Sequence, residues 1–243
     1  MRDSGTSYPV DERNQVRRVP QRGAYDRETV HGLLDAGMLA HLAYVIDGQP
    51  YCTPTFYWRD GDHLYWHGSA ISRMLKQQAG GLPVCLTVTQ LDSLVLARSP
   101  FHHSADYRSV MAFGTAAIVD DPDLKERALV AMIDRFFADR TATLRQSTRQ
   151  ELGITTVIGM EIEQASAKIR DAGVVDDEED YELPVYAEVI PVHQILGEPR
   201  PDPRLLDGVE RPATLSGYAA GRRLDEALTE SHQNWVETSG ASK

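Results

Sequence analysis

Strand-like segments joined by tight turns are the feature that most limits the fold of this 243-residue chain. Between Met38 and Trp58, two such segments flank Asp47-Gly48, a dipeptide typical of two-residue β-hairpins. A third strand follows at His63–His67. Similar segments recur at Val84–Thr89, Leu94–Ser99, Val110–Val119, Thr155–Ile162 and Leu183–Val192. Six to seven strands with few intervening helices predict a mainly β, α+β fold built on a closed or nearly closed antiparallel barrel.

Helices are predicted around this sheet by their capping residues. Asp26 can cap a helix that Gly37 would end in a left-handed conformation. Asp121-Pro122 opens a second helix, with proline at its first position. Two more helices are predicted at Ser72–Ala79 and Tyr218–Trp235.

Composition along the chain predicts three parts. Residues 1–22 are polar and rich in arginine, and we expect an N-terminal arm. Residues 23–195 carry the strands and form the predicted barrel domain. Residues 196–243 combine a proline-rich strap with the C-terminal helix.

The net charge of −11 is concentrated in one segment. Eight carboxylates and no basic residue lie between Asp171 and Glu188, and the remaining chain would carry only −3. This balance argues against nucleic-acid binding through bulk charge, and a solvated surface segment is expected at 171–188.

Other sequence features bear on location. No apolar run approaches the ~18 residues that would span a membrane, and the first residues have no apolar signal core. Cys52 and Cys85 lie in strand-like segments without metal-ligand spacing, so both are expected to be small buried residues in a reducing, cytoplasmic compartment.

Three stretches can carry chemistry, since no hydrolase, zinc-protease, P-loop or Rossmann motif occurs. In 64–75, a strand ends at Gly68, and a helix start with Ser72 and Arg73 suits a phosphate. In 51–57, prolines alternate with aromatic residues and would leave backbone groups unpaired beside a flat heterocycle. The stretch 101–110 is polar and loop-like. Its adjacent histidines, His102 and His103, point to opposite sides of an extended chain and would not bind one metal together.

The order and spacing of these stretches resemble the pyridoxamine 5′-phosphate oxidase-related family of FMN-binding split β-barrels, nearest to the nitroimidazole-resistance reductases. The resemblance spans about residues 19–192. It is carried by these segments: 18–23, 47–51, 64–69, 72–75, 103–110 with Phe113-Gly114, 165–168 and 183–186.

The resemblance implies a homodimer with FMN between its protomers and an oxidoreductase that acts on a small organic substrate. It assigns the flavin ring to the strand at Pro54, Thr55, Phe56 and Tyr57. The other residues that it assigns to the cofactor are His67, Gly68, Ser72, Arg73, Met74, Tyr107, Arg108 and Ser109. His67 matches a histidine linked to activity in the reductases, and it could donate a proton to a reduced substrate.

Departures from the family limit the prediction. The arginine- and histidine-bearing C-terminal signature that binds pyridoxamine phosphate has no counterpart after Tyr186, so pyridoxamine phosphate oxidation is not expected. Three alternatives stay open: haem with His102 or His103 as axial ligand, a deazaflavin in place of FMN, and a flavin carrier or sensor without turnover.

Overall fold

The computed structural model describes residues 5–68 and 81–240. Its strands are β1 (Gly23–Ala24), β2 (Leu39–Ile46), β3 (Gln49–Asp60), β4 (His63–His67), β5 (Leu82–Leu96), β6 (Ser104–Ile118), β7 (Val157–Glu161), β8 (Gln164–Arg170) and β9 (Glu188–Pro191). Its helices are α1 (Arg27–Asp35), α2 (Pro122–Phe136), α3 (Arg149–Ile154) and α4 (Leu224–Ser239). Short 3₁₀ turns occur at Pro20–Arg22, Thr141–Thr143, Glu178–Glu182 and Ala213–Tyr218.

Six of these strands close into an antiparallel barrel in the order β2–β3–β4–β7–β6–β5, because β5 also pairs with β6. The other edge of β6 pairs with β8 over residues 107–113 and with β7 over residues 116–118. The sheet therefore divides along this strand. Alternate residues of β2, β5 and β6 fill the interior, including Leu42, Leu86 and Val110, which are fully buried. The expected mainly β barrel is confirmed.

Local signals placed several elements correctly. Asp47 and Gly48 both have positive φ, 49° and 78°, which a type I′ turn requires. The Asp26 side chain accepts a hydrogen bond from the Thr29 backbone N–H and caps α1, and Asp121 caps α2 in the same way. Because these features depend on neighbouring residues alone, the sequence was sufficient to find them.

The strand pattern differs from the prediction in several places. Residues 84–99 were expected to hold two strands, but β5 is one long strand with a register shift between Leu91 and Ser93. β6 begins at Ser104, so most of the predicted loop 101–110 is strand, and β9 is shorter than predicted. The described residues form nine strands, more than the six to seven predicted. Two of them, β1 and β8, were not predicted.

Gly37 serves a different purpose from the one predicted. It lacks a positive φ, and α1 instead ends at Ala36 with helical geometry. A Cβ on Gly37 would lie 2.9 Å from the Tyr57 hydroxyl oxygen and 3.1 Å from Val88 Cγ1. A larger side chain at this position would collide with Tyr57 of β3 and Val88 of β5, so glycine is required for the close packing.

The N-terminal arm is packed rather than free. Tyr8 is 2% exposed, and its hydroxyl lies 2.7 Å from His31 Nε2. The Asn14 side chain donates hydrogen bonds to the backbone oxygens of Pro9 and Ala165. Tyr8 and Asn14 therefore anchor the arm to α1 and β8, while most of its other residues stay exposed.

Both cysteine predictions were wrong about burial. Cys52 is exposed and Cys85 is partly exposed. They face outward on either side of Ala43, since Ala43 pairs with Cys52 on β3 and with Cys85 on β5. The apolar alternation that suggested burial belongs to a sheet face outside the barrel.

A buried network of charged residues joins the C-terminal helix to the barrel. Arg59 donates two hydrogen bonds to the Asp35 carboxylate, 2.9 and 2.6 Å long. Arg135, which is fully buried, donates to the Asp35 backbone oxygen at 3.2 Å. His232 of α4 places Nε2 3.0 Å from Arg59 Nη2. The same nitrogen lies 3.1 Å from Asp35 Oδ2, so the imidazole contacts both partners of the ion pair.

We expect acid to weaken this structure between pH ~6.5 and pH 4. Desolvation lowers the pKa of His31 and of His232 to about 4, while histidine in the unfolded chain titrates near ~6.5. The unfolded state therefore binds protons that the native state does not, so stability falls as the pH falls through this interval. Urea unfolding at pH 7 and pH 5 should show a smaller loss for His232→Gln than for the wild type. Equal losses would contradict the assignment for His232.

Candidate cofactor site

The first half of β3 presents a free edge. Residues 49–56 pair with β2 on one side, whereas β4 pairs only with residues 57–60. No other described strand covers this edge, so backbone groups around Pro54, Thr55 and Phe56 are open to a ligand. The Tyr57 side chain is fully buried and donates a 2.5 Å hydrogen bond to the Leu34 backbone oxygen, so it has a packing role.

His67 lies at the end of β4 among aromatic rings. Its exposed imidazole is 6.4 Å from the Phe56 ring and 6.2 Å from the Trp58 ring, measured between centroids. Gly68 follows it and donates a backbone hydrogen bond to Thr156. Ser72, Arg73 and Met74 lie outside the described residues, so the phosphate-binding role of Arg73 stays a prediction.

The other predicted segment, Tyr107–Ser109, lies on β6 with its side chains half-buried. Arg108 donates hydrogen bonds to Asp92 at 2.6 to 3.1 Å and to Asp225 of α4 at 3.1 Å. The hydrogen bonds to Asp92 are the main cause that raises the pKa of Arg108. The hydrogen bond from Arg223 and the contact with Arg108 lower the pKa of Asp225 to about 2. This guanidinium is therefore fixed in position before any ligand binds.

A cavity of about 360 Å³ adjoins Arg108 and lies between the barrel and the start of α4. Its walls combine apolar residues, among them Met38, Leu39, Val88 and Leu228, with the charged side chains of Asp92, Arg108, Arg223 and Asp225. Leu39 pairs in register with Phe56, so the cavity touches β2, which lies on the paired edge of β3. The two predicted segments lie on one sheet, with β2 and β5 between β3 and β6.

Gln90 contributes an unusual polar group to this cavity. Its amide nitrogen and oxygen are both buried and have no hydrogen-bond partner among the described residues. Gln90 pairs with Arg108 in the β5–β6 register. A buried primary amide without partners is costly, and a ligand that offers both a donor and an acceptor would satisfy it. Sequence reasoning missed Gln90, and its only signal was a lone amide at the end of an apolar strand.

The adjacent histidines occupy different surroundings, as their spacing predicted. His103 is exposed and places Nδ1 2.9 Å from the Ser99 backbone oxygen. Since a carbonyl only accepts, Nδ1 carries the proton and Nε2 keeps its lone pair. His102 is mostly buried and lies near Asp177. Only His103 combines a fixed tautomer with an open ring nitrogen.

Comparison with known families identifies the fold. The pyridoxamine 5′-phosphate oxidase sequence profile matches residues 26–169, more than half of the chain. The protein belongs to the pyridoxamine 5′-phosphate oxidase family. In this family member, the match covers the barrel from the cap of α1 to β8 and leaves out the strap and α4.

Two solved structures are similar over nearly their whole length. A flavocytochrome from Azotobacter vinelandii is 39% identical, with a TM-score of 0.79, and the match covers 87% of this chain and 98% of that one. An FAD- and haem-binding protein from Mycobacterium smegmatis is 36% identical, with a TM-score of 0.76 and coverage of 84% and 98%. Both matches extend well beyond residues 26–169.

More distant matches bear on the fold alone. A candidate 5-nitroimidazole antibiotic resistance protein from Bacteroides thetaiotaomicron is 18% identical, with a TM-score of 0.51 and coverage of 60% and 86%. A search of curated proteins gave no significant match. Across the described part of this family member, no helix is both long and apolar enough to cross a membrane.

Proposed function

We propose that this protein is a flavin- and haem-binding oxidoreductase that works as a homodimer. The observation that carries the proposal is the 39% identity to a flavocytochrome across 98% of its chain. The second relative, described as binding FAD and haem, supports the same pair of cofactors. A flavin supplies two-electron chemistry toward small molecules and one-electron exchange with a haem, while the protein provides binding and orientation.

The cavity beside Gln90 fits the polar edge of a flavin ring. That edge offers an N–H donor between two carbonyl acceptors, which complements a primary amide with one acceptor and one NH₂ group. The apolar walls suit the flat ring system, and a volume of about 360 Å³ is within the usual range for ligand sites. Arg108 would lie near the same edge because it pairs with Gln90.

We assign FAD as the flavin, following the relative from M. smegmatis. Denaturing the purified protein and separating the released flavin by chromatography tests this assignment. Release of FAD is expected, whereas FMN, which the family resemblance implies, would contradict it.

Replacing Gln90 by leucine should weaken flavin binding by about tenfold to a hundredfold. The estimate corresponds to the ~1–3 kcal/mol cost of losing a buried hydrogen-bond partner. Because the unpartnered amide is removed, the flavin-free protein should not lose thermal stability. Flavin titration followed by fluorescence gives the dissociation constants, and Gln146→Leu at an exposed position is the control. Unchanged affinity in Gln90→Leu would exclude this cavity as the ring site.

The histidine that suits a haem iron is His103. A metal-binding histidine usually donates its other ring N–H to a carbonyl or carboxylate, as His103 Nδ1 does to Ser99. Phe101, which is 87% exposed, offers an aromatic surface close by. We therefore propose His103 as the axial ligand.

An exposed apolar face supports the homodimer. Leu39 and Val45 of β2, Leu91 of β5 and Met111 of β6 are 66, 56, 45 and 43% exposed and face outward from the barrel. A flat sheet face of this kind is typical of a surface covered by a second copy. Analytical ultracentrifugation should give a mass near twice 27.1 kDa, and a monomeric mass would contradict the proposal.

A further inference from the structure

The turn between β5 and β6 meets the acidic segment at a cluster of one imidazole and two carboxylates. His102 Nε2 and a carboxylate oxygen from each of Asp177 and Asp180 all lie within 4.8 Å of one another. The distance from His102 Nε2 to Asp177 Oδ2 is 3.3 Å. We propose that this triad binds a divalent transition-metal ion such as Zn²⁺ or Mn²⁺. The inference does not rest on the proposed function.

The acidic segment is held against the barrel by contacts outside the triad. The Asp176 carboxylate, whose exposed side-chain fraction is 0%, accepts hydrogen bonds from the Arg98 backbone N–H and guanidinium at 3.0 to 3.2 Å. The Arg98 guanidinium also stacks over the Tyr181 ring at 4.9 Å. These contacts fix the backbone on both sides of Asp177 and Asp180, so the two carboxylates approach His102 from a positioned loop.

The His102 imidazole faces the carboxylates with a buried nitrogen. Its Nε2 atom is buried, and it makes no hydrogen bond to any residue in the described ranges. The side chain is only 18% exposed, and the atom faces carboxylate oxygens. A cation bound between the nitrogen and the carboxylates would satisfy both.

The donor set selects the class of metal. Nitrogen and carboxylate oxygens bind Zn²⁺ at ~2.0–2.2 Å, so atoms now within 4.8 Å of one another close around the ion through small side-chain rotations. Imidazole suits Zn²⁺ and Fe²⁺, and carboxylates suit Mn²⁺, whereas Ca²⁺ and Mg²⁺ prefer oxygen ligands alone. Asp177 is 73% exposed, so three protein ligands would leave positions for water.

The acidic surroundings favour a dication. Eight carboxylates and no basic residue lie between Asp171 and Glu188. A small dication would be attracted by the negative charge of this segment.

Zinc titration of the tag-free full chain tests the proposal. Protein treated with EDTA and then dialysed is titrated with Zn²⁺ in a calorimeter. We expect one Zn²⁺ per chain at this site and a fall in affinity of about tenfold or more in His102→Gln and in Asp177→Asn. His63→Gln and Glu179→Gln, both at exposed positions, should change the affinity less than about twofold.

The outcomes separate the possible roles of His102. Loss of Zn²⁺ binding in His102→Gln, with an unchanged circular dichroism spectrum, supports the metal site. Asp177 is exposed, so Asp177→Asn reports on binding without a change of fold. Absence of Zn²⁺ binding in the wild type overturns the proposal. So does unchanged affinity in His102→Gln, or loss of its haem band while it still binds Zn²⁺.

Discussion

Replacing Asp35 by asparagine should lower the free energy of unfolding by about 3–5 kcal/mol, the cost of removing one partner from a buried ion pair. Asp35 is 5% exposed, and it is the carboxylate that Arg59 and Arg135 share. Both guanidiniums are almost fully buried, so the variant would leave two buried cations without the carboxylate that they share. Burial opposes the ionisation of Asp35, but the hydrogen bonds and charge of Arg59 and the charge of Arg135 still lower its pKa.

Urea unfolding of wild type, Asp35→Asn and the exposed control Asp120→Asn measures this effect. The control should stay within ~0.5 kcal/mol of wild type, as surface substitutions usually do. A double variant, Asp35→Asn with Arg59→Gln, should be less destabilised than the sum of its two single variants, because the residues share one interaction. A loss below ~1 kcal/mol in Asp35→Asn would show that water or a rearrangement replaces the pair.

Replacing His103 by alanine should remove the haem while the flavin remains bound. The axial imidazole is the only protein bond to haem iron in this proposal, and without it the group is held by contacts alone. His103 is exposed, and its one hydrogen bond is to the Ser99 backbone oxygen, so the substitution should not disturb the barrel core. The Soret band should disappear from the purified variant, and the flavin absorption should stay within the range of wild type.

His63→Ala is the control for this experiment, since it removes an exposed histidine from the start of β4. It should keep both cofactors. A Soret band of full intensity in His103→Ala would assign the iron to another histidine, and loss of both cofactors would indicate that the haem helps to hold the protomers together.

The elements that the sequence predicted well depend on local chemistry. Asp26, Asp121 and the Asp47-Gly48 turn act through their own backbone or that of residues up to three positions away. β8 was missed because its residues, Gln164–Arg170, are short and polar side chains mixed with alanine. It forms a strand through pairing with β6, a partner some fifty residues earlier in the chain, and no local pattern reports such pairing.

Burial was harder to predict than secondary structure. Cys52 lies in an apolar alternation that is typical of a core strand, but its side chain faces outward. Tyr8 lies in a polar arm and is nevertheless buried. In both cases the side of the sheet that becomes covered depends on segments that are distant in sequence.

The same limit applies to the candidate site. The predicted residues of β3, β4 and β6 lie on one barrel. Their prediction came from the resemblance to a family, and not from any local pattern. Gln90 and Asp225 were not predicted, since the cavity forms only where α4 returns to the sheet. The joining of Asp35 to His232, nearly two hundred residues apart, likewise requires the folded chain.

The absorption spectrum of the protein as purified tests the central claim most directly. A flavocytochrome should show an intense Soret band together with flavin absorption near ~375 and ~450 nm, and both should change on anaerobic reduction. Flavin bands without a Soret band would contradict the haem half of the proposal. A colourless protein whose melting temperature neither FAD nor haem raises would contradict the whole of it, since a ligand at 100 times its dissociation constant adds ~2.7 kcal/mol of stability.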